Sequence, residues 1–215
     1  MPSDLDERNS YLYAGLSSSK MYSSFQKFLT RSNIWADLKK ELMESSGNEN
    51  RILDIGCGPG GLLMHSDLDI KESFFTGIDP SEEYITSAAQ LFPEATFHLG
   101  TVRQVNLQPE SFDFVVLSGV LHHMDDAMAQ ETLKFAFSAL KPLGKVITVD
   151  PVILPRQNPV ARILALLDRG KYVRTPQAMT KLWQSTGSTG NIAFEIKSGY
   201  LRLPYNHIVG VGAKS

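Results

Sequence analysis

A chain of 215 residues can bury one sizeable domain with additions and is too short for two full ones. Its 42% hydrophobic and 20% charged content suits a soluble globular protein, and a net charge of −2 argues against a dedicated nucleic-acid surface. A single cysteine excludes an internal disulfide and fits a reducing compartment such as the cytoplasm, while no apolar stretch approaches the ~18 residues of a membrane span.

Met1 to Asn9 is polar, and Met1 to Lys20 lacks the apolar core of a signal peptide. Ser17 or Ser18 caps an expected helix that buries Met21, Tyr22, Phe25, Phe28 and Leu29 at helical spacing. Ile34, Trp35, Leu38, Leu42 and Met43 mark a second helix, with Asn33 as its cap and Gly47 as its stop.

The most informative stretch is Arg51 to Gly61, RILDIGCGPGG. Ile52, Leu53 and Ile55 form an apolar run of the kind that fills a strand buried on both faces. Asp54 interrupts it, and a buried carboxylate needs a task because burying a charge is costly. Gly56, Gly58, Gly60 and Gly61 follow, giving a turn in which the backbone can approach a ligand closely before a helix begins. Gly56, Gly58 and Gly61 satisfy G-x-G-x-x-G, a spacing shared by dinucleotide enzymes. The fuller string Asp54-x-Gly56-x-Gly58-x-Gly60 resembles the first motif of the class I S-adenosylmethionine-dependent methyltransferases.

Ser73 to Ile78 reads as a second buried strand, ending at Asp79. A carboxylate about 20 residues beyond the glycines suits a ribose, since it accepts from both hydroxyls. A local explanation competes: Asp79, Pro80 and Glu82 have the order of an N-cap, a first-position proline and a third-position glutamate, opening a helix that runs from Ser81 to about Leu91. Ala95 to Leu99 is a third strand and Phe112 to Ser118 a fourth.

Gly119 to Asp126 (GVLHHMDD) follows the fourth strand, where an open α/β sheet places its crevice. The family resemblance extends to this Leu-His-His segment. A metal site is not expected, because adjacent histidines seldom point the same way and Asp125 and Asp126 are needed to cap the helix running to Leu140. Lys141 to Gly144 makes a turn, and Lys145 to Val149 is a fifth strand ending at Asp150. Asp150 is a base, a substrate ligand or a turn residue before Pro151.

The strand–helix alternation then stops. Asn158 and Pro159 open a helix through Leu167 that Gly170 ends; Thr175 and Pro176 open another, carrying Met179, Leu182 and Trp183. Arg156, Arg162, Arg169, Lys171 and Arg174 face only Asp168 in this stretch. They form either a solvated face or a roof in which Arg169 and Arg174 grip an anionic acceptor group. Ile192 to Ile196 and His207 to Val211 are the last strands.

The resemblance covers Arg51 to Asp150 and, less closely, the final strands. It implies a Rossmann-like, mostly parallel seven-stranded sheet with an antiparallel last strand and helices on both faces. It implies a single domain over 1–215: a helical lid at 1–48, a cofactor-binding core at 49–150, a helical substrate cover at 151–190 and closing strands at 191–215. The implied cofactor is S-adenosyl-L-methionine, leaving S-adenosyl-L-homocysteine. By resemblance Gly56, Cys57, Gly58 and Gly60 line its methionine end, with Asp54 orienting that loop. Asp79 holds the ribose with Pro80 beside it, and Thr101 and Val102 hold the adenine edge, although Thr101 departs from the acidic residue usual there. Ser118 and Leu121 sit under the sulfonium, Tyr13 and Tyr22 belong to the lid, and His123 or His122 is the candidate base or substrate ligand.

The acceptor implied is a small molecule. The Asn/Asp-Pro-Pro-aromatic tetrad of the amino-methylating nucleic-acid enzymes is replaced by Ser118-Gly119-Val120-Leu121. A nicotinamide-dependent oxidoreductase is the first rival, although none of the seven tyrosines has a lysine four residues later. A catalytically silent cofactor-binding module is the second. Oligomeric state is not legible.

Overall fold

The computed structural model describes residues 38–42, 50–66, 74–166, 170–187, 190–200 and 205–215. Tyr13, Tyr22 and Arg169, and the expected helices over 17–43 apart from 38–42, lie outside the described residues.

Seven strands form one sheet in the order β3-β2-β1-β4-β5-β7-β6. They are β1 (Arg51–Ile55), β2 (Phe74–Asp79), β3 (Thr96–Leu99), β4 (Phe112–Ser118), β5 (Leu140–Pro151), β6 (Ile192–Ser198) and β7 (Asn206–Ala213). β1 pairs in parallel with both β2 and β4, and β7 inserts antiparallel between β5 and β6. The expected fold, including its reversed last strand, is the one observed.

The central strands carry apolar side chains on both faces because helices cover both. On one face Leu53, Val115 and Leu117 pack with Ala129, Leu133 and Phe137 of α3 (Asp126–Ala139) and with Met179, Leu182 and Trp183 of α5 (Pro176–Gln184). On the other, Ile52, Phe114, Val116 and Ile147 pack with Leu62 and Leu63 of α1 (Gly61–Ser66) and with Leu38 and Leu42 of the helical segment at 38–42. The remaining helices are α2 (Glu82–Leu91) and α4 (Pro159–Leu166).

Three expectations are corrected. Ser81, not Asp79, caps α2: its hydroxyl accepts from the Tyr84 N–H. β5 starts at Leu140, and the expected turn at 141–144 is an irregularity inside the β4–β5 pairing, with Leu143 at φ 66°. The segment 151–190 is not simply a cover. Trp183 lies edge-on between Phe137 and Phe194, at 5.7 and 5.5 Å, so α5 belongs to the sheet core. β7 admits that indole because Gly212 stands beside it; a Cβ there would come within 2.5 Å of the ring.

Candidate cofactor and acceptor site

The glycine turn lies where β1 ends, held to β2 by the Gly56 and Cys57 N–H groups, which donate to the Ile78 carbonyl at 2.7 and 3.1 Å. Gly56 and Gly58 both sit at positive φ, 74° and 53°. They serve different ends. A Cβ on Gly56 would meet Val120 Cγ2 at 2.5 Å, whereas one on Gly58 would find nothing within 4 Å. Packing requires Gly56; open space adjoins Gly58, and that is where a ligand can approach the backbone. Cys57 is buried against Gly77 of β2, and burial with two nearby carboxylates pushes its thiol far up. It is a small space-filler rather than a reactive group.

Two carboxylates face this turn. Asp79 spans it: Oδ2 accepts from the Gly58 N–H and Oδ1 from the Ser81 N–H, each at 2.9 Å. Burial raises its pKa, and those two donors hold it back. Asp54 is also buried, and it accepts no hydrogen bond among the described residues. Burial first, and then the Asp79 charge, push it up to about 7. Asp54 was expected to orient the loop; among the described residues the hydrogen bonds that hold the turn run to Asp79 and Ile78. These features fit a bound nucleoside that carries cationic and hydroxyl groups: an open backbone cradle beside buried acceptor oxygens with lone pairs left over.

The remaining cofactor candidates divide. Pro80 is exposed beside Asp79. Thr101 is exposed at the tip after β3, with its N–H and hydroxyl both donating to Gln104 Oε1 at 2.9 and 3.1 Å. Its hydroxyl lone pairs therefore point away from Gln104. Val102 is half-buried against the core. Ser118 is half-buried at the end of β4. Leu121 is corrected: it is fully buried, and its carbonyl accepts from Arg174 at 2.6 Å.

The acceptor side is built by residues 28 apart in sequence. His122 and His123 form a 3-10 turn, Leu121–His123, after β4. His122 is buried; its backbone N–H donates to Asp150 Oδ1 at 3.1 Å, and its Nδ1 lies 2.9 Å from the same oxygen. Since Asp150 Oδ1 accepts from both, Nδ1 is assigned the proton and Nε2 the lone pair. Asp150 does not face an open crevice, as expected of a base or ligand. It is wholly buried at the end of β5, and its Oδ2 has no hydrogen-bond partner among the described residues. Its Oδ1 meets His122 through both the backbone N–H and the ring. His123 is exposed and stacks on His122 at 4.0 Å.

Arg174 is corrected as an acceptor contact. It is buried beneath the histidine turn with its donors taken up by protein oxygens. Gly170 lies against the His122 ring so closely that a Cβ there would be 1.9 Å from Cδ2. Sequence reading missed both contacts; an isolated glycine after a helix reads as a stop signal and carries no mark of what it packs upon. Among the described residues no cluster of three or more His, Cys, Asp or Glu side chains has a metal-binding arrangement.

Residues 52–144 match the methyltransferase-domain family. The strand order and the glycine turn agree with that match and with the resemblance to the class I S-adenosylmethionine-dependent methyltransferases. The chain is 33% identical over 119 residues to a demethylmenaquinone methyltransferase of Chlorobaculum parvum, covering 55% of this chain and 47% of that protein. The structure of the YcgJ protein from Bacillus subtilis superposes with a TM-score of 0.66 at 15% identity, covering 86% of this chain and 99% of that one. A Haemonchus contortus phosphoethanolamine N-methyltransferase 2, solved in complex with S-adenosyl-L-methionine, gives 0.74 at 15% identity, covering 95% and 59%. The chain spans 33% to 63% of the length of the curated relatives it matches.

Proposed function

We propose that this chain is a methyltransferase that carries S-adenosyl-L-methionine across the tips of β1 and β2 and methylates a small-molecule acceptor brought in over the end of β4. The observation that carries the reading is the pair of buried carboxylates at those tips. Asp79 ties the glycine turn to the start of α2, and Asp54 accepts no hydrogen bond among the described residues. Asp79 would hold the ribose hydroxyls, Gly56, Gly58 and Gly60 would back the methionine end, and Thr101 with Val102 would border the adenine. Ser118 would border the sulfur. The cofactor supplies a methyl group already activated by a sulfonium.

The chain's own task is chiefly positioning, which can supply on the order of 7–11 kcal/mol of a barrier. A placed base adds roughly 10²–10⁴-fold when the acceptor must lose a proton. His122 is the better placed of the two histidines for that. Asp150 would fix its ring orientation, while His123 on the open side would contact the acceptor. The small-molecule reading is supported by the absence of a basic excess and by relatives named for menaquinone and trans-aconitate chemistry. An anionic acceptor group stays in the proposal through Arg169 alone, supported by the basic surplus at 156–174. Arg169→Ala then raises the acceptor's KM.

Calorimetry with S-adenosyl-L-homocysteine and with NADH tests the reading. Saturable binding of the first and none of the second is expected. Tight NADH binding with no response to S-adenosyl-L-homocysteine would overturn it. A donor that binds but never turns over with any acceptor would leave a silent binding module.

A further inference from the structure

The chain after β5 turns back over the histidine turn, and Arg174 is where it takes hold. Its backbone is tied to the end of β5: Val152 bridges to it, and the Ile153 N–H donates to its carbonyl at 3.0 Å. Its guanidinium reaches the other way. NH1 donates to the carbonyls of Leu121 at 2.6 Å and Tyr172 at 3.3 Å, and NH2 to that of Met124 at 2.7 Å. Nε and NH2 also reach Asp126 Oδ1 at 2.9 and 2.8 Å. Four N–H groups are therefore hydrogen-bonded and the guanidinium is ion-paired with Asp126, in line with what burying that group requires.

The acceptors are not scattered. Leu121 and Met124 bracket the 3-10 turn that carries His122 and His123, and Asp126 opens α3 directly after it. Tyr172 closes the clasp from its own side, its N–H donating to the His122 carbonyl at 3.0 Å. Gly170 seats the His122 ring. Packing alone could be supplied by an apolar side chain of similar volume. A planar fork that reads carbonyls at both ends of one turn instead fixes where that turn sits.

We propose that Arg174 is a positioning residue: it pins the 121–126 turn so that the His122 backbone N–H and Nδ1–H meet Asp150 Oδ1 together. The importance of that geometry for the acceptor rests on the function proposed above; the clamp itself does not.

The test follows the His122 ring by NMR, its Nδ1–H signal identified by its loss in His122→Gln. In the wild type that proton is protected from exchange with water. In Arg174→Lys, which keeps the charge and loses the fork, it exchanges about tenfold faster or more, the factor that one lost charge-assisted hydrogen bond sets. The near-UV circular dichroism of Trp183 and the affinity for S-adenosyl-L-homocysteine stay unchanged. Unchanged exchange in a folded Arg174→Lys overturns the proposal. Should that variant not fold, Arg174→Ala is measured with millimolar methylguanidine. Protection restored by methylguanidine and not by methylamine supports the clamp; equal effect of both, or none from either, overturns it. A wild type that protects His122 yet fails to bind S-adenosyl-L-homocysteine retires the proposed function and leaves the clamp standing.

Discussion

The two ends of the crevice handle buried charge in opposite ways. At the glycine turn, two carboxylates lie near each other; among the described residues Asp79 accepts from two backbone N–H groups and Asp54 from none. At the histidine turn, Asp150 is buried just as deeply but shares one oxygen with two donors of His122, and Arg174 is hydrogen-bonded to Leu121, Tyr172, Met124 and Asp126. The first end is open beside Gly58, and the second is closed over by Arg174 and Gly170. A ligand can approach the first beside Gly58, whereas the second is held by the protein itself, with Asp150 Oδ2 left without a partner among the described residues. That contrast supports the proposed cofactor capture at the β1–β2 tips and a held geometry at the β4–β5 tips.

The sharpest break of the contrast removes the one group that organises the open end. Asp79→Ala takes away the acceptor for Gly58 and Ser81 and the proposed ribose partner, so affinity for S-adenosyl-L-homocysteine falls by about 3 kcal/mol or more in calorimetry. Retained affinity would move the cofactor elsewhere. At the closed end the comparable break is steric. Gly170→Ala drives a methyl into the His122 ring and costs about 3 kcal/mol in denaturant unfolding.

Asp54 tests the difference in charge satisfaction directly. Its folded pKa is raised from 3.8 to about 7, so the folded protein binds a proton there that the unfolded chain has released. Stability therefore declines as pH rises from about 4 to about 7 and is level beyond. Asp54→Asn lacks that decline. It is more stable than the wild type by about 2–4 kcal/mol at pH 8, and the gap closes by pH 4. A gap independent of pH would show that Asp54 is already satisfied. The smallest effect belongs to Gly58→Ala. With open space around it, only the left-handed backbone is strained, costing about 1 kcal/mol in thermal stability while still obstructing the cofactor.

Much of the open end was legible because its signals are local. Strand, glycines and helix start lie within Arg51 to Gly61, and Asp79 falls at a readable distance beyond. The sheet was legible for a similar reason: strands buried on both faces announce themselves as apolar runs, and β7 was placed by resemblance. Where local signals competed, tertiary packing chose. Ser81 displaced Asp79 as the cap of α2, because Asp79 is held back by the Gly58 N–H.

By itself, then, the sequence determined the architecture and the glycine turn, since burial periodicity and glycine spacing act over a few residues. Only the tertiary structure decided the closed end. It joined His122 to Asp150 across 28 residues and brought Arg174 under the turn from 53 residues beyond Leu121. A surface-looking arginine and a helix-stopping glycine became parts of a clamp because the chain after β5 folds back over β4. No local pattern encodes that return; the packing of α5 and β7 on the sheet does.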